Sequence, residues 1–118
     1  MREIIARAVI RKGNGFLVCR RKGSDYWFLP GGHVDPGENA REALVRELEE
    51  ERGSKVNVLG FVGVIENFFE QEDESICEIN LIFEVEEPDG TGETFSAEDH
   101  LEFNSIPLDR FKEKNVLP

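Results

Sequence analysis

Glu47, Glu50 and Glu51 are the residues in this chain whose type and spacing most directly imply chemistry. At about 100° per residue, positions i, i+3 and i+4 of an α-helix fall within a sector of roughly 100°, so three carboxylates converge on one face. Ala40, Ala43 and Leu44 project into the same sector, which places the acids on the side that packs against a sheet, while Glu42, Val45, Glu49 and Arg52 point away. Carboxylates held together out of water repel one another unless something neutralises them, and a divalent cation does so economically. Oxygen-only donors select a hard ion, Mg²⁺ with Mn²⁺ as substitute, which keeps several waters and shares its remaining sites with phosphate oxygens. An acidic surface helix is the competing reading; it suits Glu49 and fits the other three poorly.

The helix that must position these acids is bounded by clear signals. Asn39 with Glu42 three residues on forms a capping box, and Gly53 stands where a left-handed C-terminal residue is needed, so the body runs from Ala40 to Arg52. Upstream, Arg2 to Arg11 and Phe16 to Arg21 flank the turn-forming Lys12-Gly13-Asn14-Gly15, which predicts a hairpin. Tyr26 to Leu29 is a short extended piece, and Pro30-Gly31-Gly32 with Asp35-Pro36-Gly37 dictates a tight loop into the helix. Downstream, Val56 to Ile65, Ile76 to Val85 and Leu101 to Ile106 read as strands, Pro88 to Thr94 as a turn-rich loop, and Pro107 to Lys114 as a short helical turn. Strands on both sides of a single long helix imply a mixed sheet with that helix packed on it.

Loop and helix together spell a known pattern. Gly32, Glu38 and the run Arg46-Glu47-Leu48-Glu49-Glu50-Glu51-Arg52-Gly53 resemble the Nudix box, Gly-x5-Glu-x7-Arg-Glu-U-x-Glu-Glu-x-Gly-U, with U a bulky aliphatic. Ser54 departs from the final U, at the expense of packing and of no catalytic group. Trp27-Phe28-Leu29-Pro30-Gly31-Gly32 is similar to the family's Trp-x-x-Pro-Gly-Gly lead-in. The resemblance implies an α/β fold of Nudix type, an α/β/α sandwich with a mixed β-sheet, one long catalytic helix and a short C-terminal helix. It implies hydrolysis of a nucleoside diphosphate linked to another moiety, with water attacking phosphorus and Mg²⁺ assisting. It puts metal coordination on Glu47, Glu50 and Glu51, with the Gly32 carbonyl facing the same ions, and has Arg46 orient Glu47. Glu38 has two readings, a carboxylate favoured by the helix dipole and a support of the loop beside the substrate.

Other positions carry expectations of their own. Arg20 and Arg21 point to opposite faces of a strand, so one of them is expected at the substrate phosphates. Glu78 and Asn80 share a face inside Cys77-Glu78-Ile79-Asn80-Leu81; Glu78 is either a wet-face residue or a substrate contact. Glu98 and Asp99 lie on a loop near where the family often supplies a further carboxylate as base or ligand, and Glu98 is the candidate. Trp27, Phe28, Phe68 and Phe69 are candidates for the core, with Trp27 also a candidate aromatic clamp for a base. His33 and His100 read as solvent-facing loop residues.

A length of 118 residues fits one domain over the whole chain. The balance of 14 basic against 25 acidic residues, a net charge of −11, opposes binding to DNA or RNA, while a small nucleotide is admissible once cations hold some of the carboxylates. The acids are unevenly spread: Glu66 to Glu102 contains no Lys or Arg, whereas Arg2, Arg7, Arg11, Lys12, Arg20, Arg21 and Lys22 crowd the beginning. No apolar run approaches the roughly 20 residues of a membrane span, Met1-Arg2-Glu3 leads into a strand rather than a signal peptide, and Cys19 and Cys77 read as reduced core thiols, so the expected setting is cytoplasmic. Because only Pro107 to Pro118 follows the last strand, part of a sheet face is expected to be open and covered by a second copy, as a homodimer. Two function classes remain at this stage, a Mg²⁺-dependent pyrophosphohydrolase and a catalytically silent nucleotide-binding module of the same fold.

Overall fold

The computed structural model describes residues 2–88 and 90–117. Met1, Asp89 and Pro118, which fall at the start of the first strand, in the turn-rich loop and at the end of the C-terminal segment, lie outside the described residues. The chain order is β1 (Arg2–Val9), β2 (Arg11–Lys12), β3 (Gly15–Arg21), β4 (Gly31–His33), α1 (Ala40–Arg52), β5 (Asn57–Gln71), β6 (Glu74–Glu86), β7 (Leu101–Ile106) and a single 3-10 turn at Leu108–Arg110. The helix and β7 coincide with the sequence reading, and the C-terminal helix is that one short turn. No helix among the described residues is long and apolar enough to cross a membrane.

The strands form two sheets, β4-β1-β6-β5 and β2-β3-β7. The larger is mixed: β1 runs parallel to β6 and antiparallel to β4, and β5 is antiparallel to β6. This corrects the expected first hairpin. Only its tip exists, with Arg11 opposite Phe16 and Lys12 opposite Gly15, because the chain changes sheets at Ile10 and β1 pairs with β6 instead of β3. Ile10 is fully buried, and its carbonyl still accepts from Leu17 N at 2.8 Å, so the crossover leaves no orphaned backbone group there.

The β5–β6 hairpin extends well beyond the expected strands, to Gln71 opposite Glu74. Glu72 and Asp73, with φ of 51° and 63°, make a two-residue turn with both central residues left-handed, the geometry that matches strand twist. The core is a wedge of Ala6, Ala8, Phe83 and Val85 from the large sheet, Leu17, Cys19 and Phe103 from the small one, and Leu44 and Leu48 from α1. A smaller cluster of Val18, Trp27 and Ile106, backed by Leu29, Phe111 and Val116, lies on the other face of the small sheet. Both cysteines are buried and free.

Candidate active site

The loop before α1 and the first face of α1 are locked together by one arginine. Asn39 Oδ1 accepts from Glu42 N at 2.9 Å and Glu42 Oε1 accepts from Asn39 N at 3.0 Å, so the capping box starts the helix; Gly53, at φ 75°, ends it. From that helix Arg46 donates through Nε and Nη2 to the two oxygens of Glu38, at 3.1 and 2.6 Å, and through Nη1 to Glu47 Oε1 at 3.0 Å. Its Nη2 also reaches the His33 carbonyl at 3.3 Å. Glu38 in turn accepts from Asp35 N at 2.9 Å, and the Arg46 guanidinium holds its carboxyl below the usual carboxylate range. Arg46 thus connects the loop, through Glu38, to the orientation of Glu47.

Glu47 presses on the backbone of β4. A Cβ at Gly32 would stand 2.5 Å from Glu47 Cδ, so a glycine is required for this approach. Beside it, Glu51 points inward and its Oε1 is buried without a hydrogen-bond partner. Burial first, and repulsion by Glu47 second, push the Glu51 carboxyl up to about 8, against opposing help from Arg7 and the Gly31 backbone N–H. Glu50 departs from the expected shared inward face: its side chain is 52% exposed, at the rim, with Arg46 Nη1 at 3.7 Å. Among the described residues no three His, Cys, Asp or Glu side chains are gathered into a ready-made cation cage. The donor chemistry nevertheless fits the divalent ion that the fold implies. A buried, unpartnered carboxylate oxygen next to a second carboxylate is a position a cation would satisfy, and all the donors are hard oxygens.

Arg52 is a second correction. It was expected to point away from the packed side, yet it is 1% exposed, and it donates through Nε and Nη2 to Glu87 at 2.7 and 2.9 Å. The reason is a polar pocket beneath the helix end: Nη1 and Nη2 also reach the carbonyls of Phe95 (2.5 Å) and Gly92 (2.8 Å), and Lys12 Nζ lies 2.8 Å from Glu87. These bonds, with Ala97 N donating to the Glu51 carbonyl at 2.8 Å, hold the 92–97 loop against α1. Glu98 follows that loop, near enough to Glu51 to disfavour its ionisation. The residue at the departed final position of the box, Ser54, has a buried and unpartnered Oγ.

Of the two candidate arginines, Arg20 does not join the carboxylates. It lies over Trp27, 4.2 Å from the ring centroid, and is paired with Glu102. Trp27, read as a core residue and also as a candidate base clamp, takes the core place: it is 8% exposed in the second hydrophobic cluster, because Val18 and Ile106 need an apolar cover on that face. Arg21, one position on, is exposed and shares the strand face of Cys19, whose thiol burial and Glu51 push up. Asn80 is 2% exposed rather than wet, and Glu78 is half-buried. Phe68, a candidate core residue, is 75% exposed, because the hairpin projects past the wedge.

One site residue escaped the sequence reading. Arg7, on β1, is half-buried, close enough to Glu47, Glu51 and Glu78 to feel their charge, and its desolvation lowers its affinity for a proton. It was legible in principle: a lone arginine inside Ile5-Ala6-Arg7-Ala8-Val9 is the same anomaly as Glu78 in its strand.

Comparison with known proteins decides the family. The NUDIX domain model matches residues 1–118. The chain belongs to the NUDIX domain family. It is 45% identical over 56 residues to a putative 8-oxo-dGTP diphosphatase of Bacillus subtilis, a match covering 48% of this chain and 38% of that protein. It is 28% identical over 115 residues to an ADP-ribose pyrophosphatase of Methanocaldococcus jannaschii, covering 92% and 67% respectively. The crystal structure of a MutT protein from Methanosarcina mazei Go1 superposes with a TM-score of 0.72 at 28% identity, over 99% of this chain and 85% of that one. The first of these matches spans well under two thirds of its relative's length. As a NUDIX domain, the chain has the expected fold class, a mixed sheet carrying one long helix.

Proposed function

We propose that this NUDIX domain is a Mg²⁺-dependent hydrolase that cleaves the pyrophosphate linkage of a small nucleotide. The observation that carries the reading is the buried, unpartnered Oε1 of Glu51 beside Glu47, a carboxyl that folding alone leaves holding a proton in place of a partner. Glu47, Glu50 and Glu51, with the Gly32 carbonyl, are the residues that would hold the ion. When bound, the cation neutralises pyrophosphate oxygens and lowers the pKa of a water toward neutrality.

The chain's own residues do the rest. Arg46 fixes Glu47 against Gly32, so the carboxylate loses little further freedom when substrate arrives. Arg7 supplies positive charge near the carboxylates. Glu98 accepts the proton of the attacking water, which bonds to phosphorus as the bridging P–O bond breaks; the leaving phosphate or phosphorylated group takes the electron pair. A nucleoside triphosphate, a nucleotide sugar such as ADP-ribose and a dinucleoside polyphosphate all carry the required linkage, and relatives named for 8-oxo-dGTP, ADP-ribose and CTP support this range. A cytoplasmic setting suits two free cysteines and a nucleotide substrate. Association of two copies through β5 belongs to the same reading.

The test is release of nucleoside monophosphate from a panel of these compounds with Mg²⁺ and with EDTA. Mg²⁺-dependent release supports the hydrolase. Binding across the panel without turnover supports the alternative, a silent nucleotide-binding module.

A further inference from the structure

A cavity of about 530 Å³ opens beside the carboxylates, lined by Arg7, Phe28, Asn67, Phe68, Phe69 and Glu78. Its walls are largely aromatic, and its polar groups are of opposite sign. Arg7 is held from three directions: Nε donates to Asn80 Oδ1 at 3.2 Å, Nη1 donates to the Leu29 carbonyl at 2.9 Å, and the guanidinium lies 5.2 Å from the Phe28 ring centroid. Asn80 is itself fixed by donating Nδ2 to the Ile65 carbonyl at 3.3 Å. Two of the three guanidinium nitrogens of Arg7 are thus held on protein acceptors while the side chain lines the cavity. Glu78, half-buried on β6 opposite Asn67, is close enough for its charge to favour the Arg7 cation, and the two are not among the ion pairs of the described residues. Two opposite charges facing one cavity without touching leave room for a neutral planar group that accepts from one and donates to the other.

We propose that this cavity holds a guanine base, with Arg7 donating to its O6/N7 acceptor edge and the Glu78 carboxylate accepting from N1–H and the 2-amino group. The inference rests on the nucleotide hydrolase reading and names the base that reading leaves open. Guanine is the only common base with two adjacent donors on its pairing edge, which match a carboxylate's two oxygens. Adenine sets the N1 lone pair against Glu78 beside a single amino donor. Cytosine does the same with N3, and uracil flanks its one N–H with two carbonyls. For each of these a half-buried carboxylate loses hydration without full replacement. The aromatic walls accept any base and contribute affinity; discrimination comes from Glu78.

The experiment is calorimetric titration of GMP, IMP and AMP, in Mg²⁺, into the wild-type protein and into Glu78→Gln. The expectation is GMP at least about tenfold tighter than AMP, as when a site built to pair polar groups meets a mismatched one. IMP, which lacks only the 2-amino donor, falls between them. In Glu78→Gln the GMP-to-AMP ratio drops to within about threefold, since an amide sets one acceptor oxygen and one NH2 donor where the carboxylate sets two acceptor oxygens. Equal binding of GMP, IMP and AMP by the wild type, no GMP binding at millimolar concentration, or a ratio unchanged in Glu78→Gln overturns the proposal. IMP tests the unmodified protein, so the outcome does not depend on the variant folding. Hydrolysis without base preference removes this inference and leaves the reaction standing; selective GMP binding without hydrolysis does the reverse.

Discussion

Glu51 makes the proposed metal requirement testable in the protein's own stability. Its carboxyl is pushed from an ordinary 4.5 up to about 8 by burial and then by Glu47, so between those values the folded state holds a proton that the unfolded state has released. Stability must therefore fall as pH rises across that window. In EDTA, Tm is expected to decrease between about pH 5 and pH 8, and Mg²⁺ is expected to raise it more at pH 8 than at pH 5, because it has less bound proton to displace. Glu87, whose burial is outweighed by hydrogen bonds from Arg52 and Lys12, is shifted the other way, so its contribution is fully present above the ordinary carboxylate range and is lost only as pH falls below it. Thermal melts of the wild type and of Glu51→Gln decide the matter: a slope that survives in the variant does not come from Glu51. Glu50 supplies the complementary test on rate. Because its side chain is half exposed, Glu50→Gln is expected to keep the fold while lowering kcat by at least about a hundredfold, through loss of a charged ligand. Normal Mg²⁺-dependent turnover in the folded variant would sink the assignment.

At the scale of elements, α1 was legible to the residue because its signals are local: an N-cap side chain, a reciprocal Glu42 and a left-handed Gly53. Asn39→Ala removes the bond that Glu42 N donates to Asn39 Oδ1 and is expected to destabilise the fold by about 1 kcal/mol, measured by urea unfolding. Leu48→Ala, at a fully buried position of the wedge, is expected to cost roughly 2 to 5 kcal/mol in the same measurement. What sequence could not supply was set by partners distant in the chain. The β1 strand looks like half of a hairpin because its turn residues are good ones, yet its apolar face is completed by β6, more than seventy residues away. The end of β5 looks like loop because Glu66-Asn67-Phe68-Phe69-Glu70-Gln71 leads into Glu72-Asp73 without the usual Asn-Gly signal. Helical angle put Arg52 outside, and the polar pocket formed by Glu87 and the 92–95 carbonyls put it inside. Glu47 and Glu51 were placed correctly on the inner face by periodicity alone; the outward position of Glu50 and the entry of Arg7 depend on how β1 and β4 meet the helix.

Over the whole molecule, exposed apolar side chains among the described residues gather on the outer edge of the large sheet. β5 is a 15-residue edge strand, and Leu59, Phe61, Val62, Val64 and Phe68 on it are each more than half exposed. A long apolar edge presents unpaired backbone groups as well as side chains, so it favours pairing with another strand. The opposing term is charge: each copy carries a net −11, and two copies repel. Apolar burial is worth roughly 25 cal/mol per Å², and a standard interface buries about 800 Å² per partner, which exceeds screened repulsion between surfaces at ordinary ionic strength. The prediction is a homodimer formed through β5, with a dissociation constant that falls as salt is added because screening removes the repulsion and leaves the apolar contact. Light scattering at micromolar protein in low and in physiological salt measures this directly. Val62→Lys, which sets a charge on the exposed edge, is expected to return the protein to monomer while leaving the distant carboxylates in place, so hydrolysis serves as the check that the variant is folded. A monomeric mass in both salt conditions removes the dimer, and a dimer that persists in Val62→Lys moves its interface away from β5.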